Sequence, residues 1–528
     1  MIIRLLLLST LLYGACDSYK ILIYNPIFGH SHVKFLSTLA DILTDAGHQV
    51  TVFAPVANAE LENKHCLKTT KDLRTMKQTP KLKEYHVKIE EKMGKQLWTI
   101  GTDPRALFAV ADDMKKMFAE LCRGVLDNVD MIEGLRKEKY DIALAEPFSF
   151  CGFGIFEKLG IPVTLAALSN VQMDYVSRYI GEPLGVSFVP GSLSPFLPNM
   201  TFFQRAENFI GTYFGIDYFT SSLALEHKHF LKENKSFRSV EDIIGDVSYV
   251  FPNSDPYLNF ERPIAHKTIE VGGITMNGVD DNIPKVDEKW SKILDERKYT
   301  VFVSFGSVAL SKQMPDNYKK TLLSVFEELK DVTFIWKYEE DTDMADHLPN
   351  VYLGKWLPQV ALLHDPRLDL FVTHGGLGSC VEVAYAGKPA LYIPLFADQT
   401  RNTMMVNRYG VGGSLLKTDL SDKKKIVDKL RTLITDKTYR ENALKLGEIL
   451  RSNPINKKET FLKHVEFAGR VGRIPNLESY ARHLSFVEFY FLDVIGVALL
   501  ILLSAVVLTY LIIRKLLNLV FSSKAKKD

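Results

Sequence analysis

Residues 355–402 read KWLPQVALLHDPRLDLFVTHGGLGSCVEVAYAGKPALYIPLFADQTRN. Short apolar strands alternate there with short helices, and the junctions carry His374, Gly375, Gly376, Ser379, Glu382, Asp398 and Gln399. That alternation confines the chain to the α/β class, with helices crossing over between parallel strands. Its junctions expose backbone N–H groups at helix N-termini, a setting that suits anionic phosphate groups.

The pattern occurs in two runs. In the first, YKILIYNP (19–26) reads as a buried strand, and a helix follows over 33–46. Leu36, Leu39, Ile42 and Leu43 fall at helical spacing there, and Gly47 is the stop. QVTVFAP (49–55) is the next strand, which completes a βαβ unit. Residues 56–135 are charged and helical in character, and YDIALAE (140–146) and GIPVTLAAL (160–168) are further strands. Residues 170–240 hold many aromatics with weak periodicity, which predicts mobile helices and loops around a pocket. The second run holds strands at 300–307, 332–338, 351–355, 368–373 and 389–394, with a helix over 316–329.

A chain of 528 residues is too long for one ordinary domain. Its formal net charge is +2 and no segment shows the basic clustering that a nucleic-acid binder would need, so that class is set aside. Residues 2–13, IIRLLLLSTLLY, precede Gly14, Ala15 and Cys16 and read as a secretory signal over 1–16. Val494–Ile513 is uncharged and suits one transmembrane helix, with Tyr490 and Tyr510 toward its ends. Arg514, Lys515, Lys524, Lys526 and Lys527 make the tail basic, which predicts a cytosolic tail and a single-pass type I protein. The ending KAKKD resembles a dilysine retrieval signal of endoplasmic-reticulum membrane proteins, and a plain solvated tail is the other reading.

A lumenal position would make Asn199-Met-Thr201 and Asn234-Lys-Ser236 glycosylation sites. It would also permit disulfides among Cys66, Cys122, Cys151 and Cys380, whose spacings match no metal site. No pairing is predicted, because buried free thiols serve a large protein equally well.

The stretch 355–402, with its W-x-P-Q, HGG, S-x-x-E and DQ elements, resembles the signature of the UDP-glycosyltransferases, the animal UDP-glucuronosyltransferases and UDP-glucosyltransferases. The likeness is strongest over 300–415, fainter over 19–50 and 140–170, and it includes the terminal membrane helix. It implies the GT-B architecture: two Rossmann-like domains facing a cleft, plus one C-terminal transmembrane helix. The implied layout is an acceptor-binding domain at 17–255, a connector at 256–285 and a UDP-sugar-binding domain at 286–460. A segment at 461–489 then returns to the first domain, followed by the membrane helix at 490–513 and the basic tail at 514–528.

The resemblance implies that Trp356 stacks on uracil, Gln359 contacts the nucleoside, and Glu382 binds the ribose hydroxyls. His374, Gly376, Ser379 and Ser307 would face the diphosphate, and Asp398 and Gln399 the donated sugar. Each has a plainer reading beside it. Trp356 suits a core, Ser379 with Glu382 suits a capping box, and Asp398 suits an N-cap. The family's Asn before that Ser is Gly378 here.

The catalytic base implied by the family is His32 in FGHSHVKF, with His30 as competitor. The carboxylate that would orient it falls at Glu146, where the family has Asp. The implied reaction is inverting transfer of glucose or glucuronate from a UDP-sugar to a hydroxyl of a small lipophilic acceptor, in the endoplasmic-reticulum lumen. Pro252 stands where glucuronosyltransferases carry Arg, which leaves the sugar open. No cofactor or metal is called for; Asp341-Thr342-Asp343 reads as solvated loop, and His227 and His229 as an exposed helix. Alternatives are a ceramide or sterol glycosyltransferase and a catalytically weak lumenal partner protein that binds UDP-sugar. A homo-oligomer is compatible with each.

Overall fold

The computed structural model describes residues 18–99, 104–276 and 284–524. The expected signal over 1–16, part of the connector, and Lys526 and Lys527 lie outside them. In the first run, β1 (Lys20–Tyr24), β2 (Gln49–Pro55), β3 (Asp72–Met76), β4 (Ile142–Ala145), β5 (Val163–Leu168) and β6 (Val250–Pro252) form one sheet, ordered β3-β2-β1-β4-β5-β6. The second sheet holds β7 (Tyr299–Ser304), β8 (Val332–Lys337), β9 (Val351–Gly354), β10 (Leu370–Thr373), β11 (Ala390–Tyr392) and β12 (Gly412–Ser414), ordered β12-β11-β10-β7-β8-β9. Every pairing among these strands is parallel.

The apolar runs are continuous because helices cover both faces of each sheet. Ile21 and Ile23 enter one core of the first sheet, and Leu22 and Tyr24 the other. In the second sheet Val301 and Val303 face one core and Phe302 the opposite one. Three short strands, β3, β6 and β12, escape the sequence reading. β3 and β12 are edges with polar or glycine-rich sequence, DLRTM and GGS, and lack the apolar run that marks a doubly covered strand.

Two expectations need correction, and one is sharpened. The helices expected in residues 170–240 are a helix at Asp174–Ile180 and a 32-residue helix at Phe202–Glu233, begun by a capping box of Thr201 and Gln204. The periodicity is weak because apolar residues surround the long helix. Phe203 and Ile210 are exposed while Leu223 and Phe230 are buried. His227 lies on this helix but is half-buried, edge-on to Phe150. The second correction is a disulfide joining Cys122 to Cys151; Cys66 and Cys380 are free. Spacing gives no sign of it, because tertiary packing alone brings the helices Pro104–Asp127 and Cys151–Leu159 together. Nearby Glu226, fully buried on the long helix, accepts from Ser149 Oγ at 2.6 Å and from Cys151 N at 3.0 Å. It pins the turn that leaves β4, and burial pushes its carboxyl up to about 7.

The two sheets exchange helices. Leu97 and Trp98, at the end of the helix Pro80–Thr99, pack into the second sheet's core, and the Trp98 ring meets Phe305 edge-on at 4.9 Å. In the reverse direction, Phe461, Val465 and Ala468 of the helix Lys457–Val471 enter the core of Ile21 and Ile23. Residues up to Glu478 form one compact unit, and those from Ser479 form another. The latter carries the helix Leu492–Lys524, of which Leu492–Leu519 is long and apolar enough to cross a membrane.

The disulfide closes a loop of 29 residues, so its loss should lower stability by about 3–4 kcal/mol in the chain-entropy account. Non-reducing peptide mapping should recover the Cys122 and Cys151 peptides linked, and Cys122→Ser should unfold at lower urea concentration than the parent chain.

Candidate functional site

Parallel sheets bind ligands where strand order reverses, because neighbouring strands there send their following helices to opposite faces. The reversals fall between β1 and β4 and between β7 and β10. The loops after these strands line a cleft of about 1490 Å³, walled by both halves of the chain.

After β1 comes the helix His30–Asp45, which brings His32 to the cleft in its first turn. Glu146 follows β4 directly, and its Oε2 stands 2.6 Å from His32 Nδ1. Ser169, just after β5, fixes the other carboxylate oxygen: its N and Oγ donate to Glu146 Oε1 at 2.7 and 2.8 Å. Ser169 Oγ also lies 2.9 Å from His32 Nδ1. A hydrogen on Nδ1 directed at the carboxylate leaves Nε2 as the basic nitrogen. His30 is placed differently. It meets Trp356 edge-on and Cys66 Sγ at 3.8 Å, and burial, then Lys34 and Lys64, hold its pKa below the usual imidazole value.

In the second half, His374 follows β10 and is wedged between Gly306 and Gly376. A Cβ at Gly306 would lie 2.6 Å from the imidazole, and one at Gly376 2.7 Å from it. Gly306 has φ 86°, so both its backbone and the close approach require glycine. Enclosure pushes the His374 pKa down to about 4, with Lys337 adding to the effect, so this imidazole is neutral at pH 7. Gly376 begins the helix Leu377–Tyr385 with no side chain capping it, and Ser307 is exposed on the facing loop. At Gly378 a Cβ would meet nothing within 4 Å.

The plainer readings of the remaining residues do not hold. Trp356 is 59% exposed on the cleft, with Lys64 and Lys337 over its ring at 5.3 and 5.7 Å, which is no core position. Ser379 and Glu382 form no capping box. Gln359 Nε2 donates to Glu382 Oε2 at 2.7 Å and to Ser379 Oγ at 3.2 Å. Lys34 reaches from the first half to donate to Glu382 Oε1 at 2.7 Å. Asp398 precedes the helix Gln399–Asn407 without capping it, and instead accepts from Asn402 Nδ2 at 2.7 Å. Enclosure raises its pKa, an effect opposed by the Asn402 hydrogen bond and by the nearby His32. Gln399 turns its Oε1 into its own loop, where it accepts from Leu395 N and Phe396 N.

Asn199 and Asn234 are exposed at the two ends of the long helix, away from the cleft lining. Asp341 and Asp343 are exposed in a connector, with Asp341 paired to Lys355. No group of three or more metal-binding side chains occurs among the described residues. Three cleft residues escape the sequence reading: Ser169, Lys34 and Lys337, whose Nζ donates to Gly306 O at 2.5 Å. Ser169 directly follows GIPVTLAAL, and none of the three carries a motif of its own.

The fold is that of the two-domain GT-B glycosyltransferases. The glycosyltransferase VinC, solved in complex with DTDP, matches at a TM-score of 0.54 and 15% identity, over 85% of this chain and 100% of that one. The calicheamicin glycosyltransferase CalG4 matches at a TM-score of 0.55 and 15% identity, over 86% and 99%. The family model described as "UDP-glucoronosyl and UDP-glucosyl transferase" matches residues 20–527. Similar proteins include "Putative UDP-glucuronosyltransferase ugt-48" of Caenorhabditis elegans, 29% identical over 97% of each chain. Another is "Putative UDP-glucuronosyltransferase ugt-47" of Caenorhabditis briggsae, 27% identical over 96% of this chain and 94% of the relative. The chain belongs to the UDP-glucuronosyl and UDP-glucosyl transferase family, and is a transferase of that family.

The depressed His374 pKa has a testable sign. Between pH 6.5 and about 4 the unfolded chain takes up a proton that His374 refuses in the fold. Stability therefore falls as pH drops through that window and is fully regained above pH 6.5. His374→Gln should flatten the pH dependence of the urea midpoint over this range relative to the parent chain.

Proposed function

We propose that this enzyme is an inverting glycosyltransferase that moves a hexose from a UDP-sugar to a hydroxyl group of a small lipophilic acceptor. One observation carries the reading: a histidine whose Nδ1 is held by a carboxylate at 2.6 Å, facing a glycine-lined helix N-terminus across one cleft. Nε2 of His32 removes the acceptor proton. The freed oxygen attacks the anomeric carbon, and the bond to UDP breaks on the opposite face, giving a β-glycoside from an α-linked donor. Glu146 stabilises the imidazolium that forms. Neutral His374, Ser307 and the N–H groups beginning at Gly376 receive the departing diphosphate charge. The step calls for no metal.

Trp356 offers an exposed ring to the uracil. Glu382, with lone pairs beyond those taken by Lys34 and Gln359, accepts from the ribose hydroxyls. Asp398 and Gln399 hold the sugar. Glucuronate would place a carboxylate near Asp398 and needs a cation there. Among the described cleft residues no arginine lines the wall, and Lys34 is already paired with Glu382. We therefore place glucose ahead of glucuronate. The Cys122–Cys151 bond favours an oxidising compartment, and with the apolar C-terminal helix it supports a lumenal enzyme anchored in the endoplasmic-reticulum membrane.

His32→Ala should lower transfer to a test phenol by about 10²–10⁴-fold, while calorimetric affinity for UDP stays unchanged. Unchanged turnover in that variant would overturn the assignment. In competition for the same phenol, UDP-glucose should outcompete UDP-glucuronate.

A further inference from the structure

A side chamber of about 190 Å³ adjoins the cleft, and the two share Met173, Leu193, Gly211, Gly215 and Phe219 in their walls. An aromatic wall runs toward it from His32. Phe148 stands 5.2 Å from the His32 ring, Phe219 stands 5.8 Å from Phe148, and Phe219 stacks on Tyr175 at 4.9 Å. Phe219 and Tyr175 both line the chamber.

Its walls carry buried polar groups. Asp174 Oδ2 accepts from Ser192 N and Ser192 Oγ, each at 2.8 Å. Asn208 is engaged at both ends of its amide: Oδ1 accepts from Gly191 N, and Nδ2 donates to Val186 O and Val189 O. Two hydroxyls have no hydrogen-bond partner: Ser194 Oγ and Thr212 Oγ1, the latter on a side chain only 5% exposed. A buried hydroxyl without a partner is costly in a folded chain.

Two glycines belong to the same place. Gly211 and Gly215 lie four apart within the long helix, where each is less favourable than alanine. Neither has a positive φ, and a Cβ on either would meet nothing within 4 Å. Close packing does not require them; what they preserve is room beside the cleft and the chamber.

We infer that this chamber is a distal acceptor subsite for a hydrogen-bonding group, a hydroxyl or an amine. Resting on the proposed glycosyl transfer, it defines the acceptors as amphiphiles. Their reactive hydroxyl meets His32, their apolar body lies along Phe148 and Phe219, and a second polar group meets Thr212, Ser194 and Asp174.

The test reads binding rather than turnover. Calorimetry on the full-length protein in detergent, with UDP saturating, compares 4-alkylphenols from ethyl to octyl, each with and without a terminal hydroxyl. At one chain length the hydroxylated phenol should bind about tenfold more tightly, the scale of one satisfied buried partner. Thr212→Val, which keeps the side-chain shape, and Gly215→Leu, which fills the space, should each bring that ratio near one. Affinity for UDP and the unfolding midpoint should hold in Thr212→Val. No preference at any length, or a preference that survives both variants, overturns the subsite. A chain that binds with the expected ratio yet glycosylates no phenol contradicts the transferase reading and leaves the subsite standing.

Discussion

Between β1 and β4, and again between β7 and β10, neighbouring strands send their helices to opposite faces. Loops that would otherwise close over the sheet are drawn apart there, and a crevice remains at the strands' C-terminal ends. Each functional group of the cleft is placed by that constraint. His32 and Glu146 leave β1 and β4, and the loops at 305–307 and 374–376 leave β7 and β10. The exchanged packing of Trp98 and Phe461 ties the halves to each other's cores, so the two crevices face one another across a single cleft.

Charge within the cleft is arranged by pairing. The two oxygens of Glu146 are divided, because Ser169 takes one and leaves the other for His32. Opposite it, Lys34 and Gln359 hold the Glu382 carboxylate from two directions, so the first half reaches directly across the cleft to the second. His374 is kept neutral by enclosure and by Lys337, which suits a hydrogen-bond donor to a diphosphate.

The doubly covered strands were legible because burial on both faces leaves unbroken apolar runs such as ILIY and VFVS. Edge strands such as DLRTM were not, since one side faces solvent and polar residues serve there. The 32-residue helix was hidden for the opposite reason: its apolar residues, from Phe203 to Phe230, face several directions and leave no single stripe. The residues expected at the site stand out in the sequence because they occupy strand-to-helix junctions carrying a family pattern. Ser169, Lys34 and the Cys122–Cys151 bond depend on distant segments meeting, which local pattern does not encode. The capping-box and N-cap alternatives for Glu382 and Asp398 were reasonable from sequence, and only their actual partners, Lys34, Gln359 and Asn402, set them aside.

In the proposed direct displacement His32 and the helix N-terminus at Gly376 stand at opposite ends of one reaction axis, and the configuration of the product tests that geometry. With an α-linked UDP-hexose and a phenol, proton NMR of the purified glycoside should show the large trans-diaxial coupling of a β-anomer. An α-glycoside would mean retention of configuration, and would contradict a single displacement across this cleft.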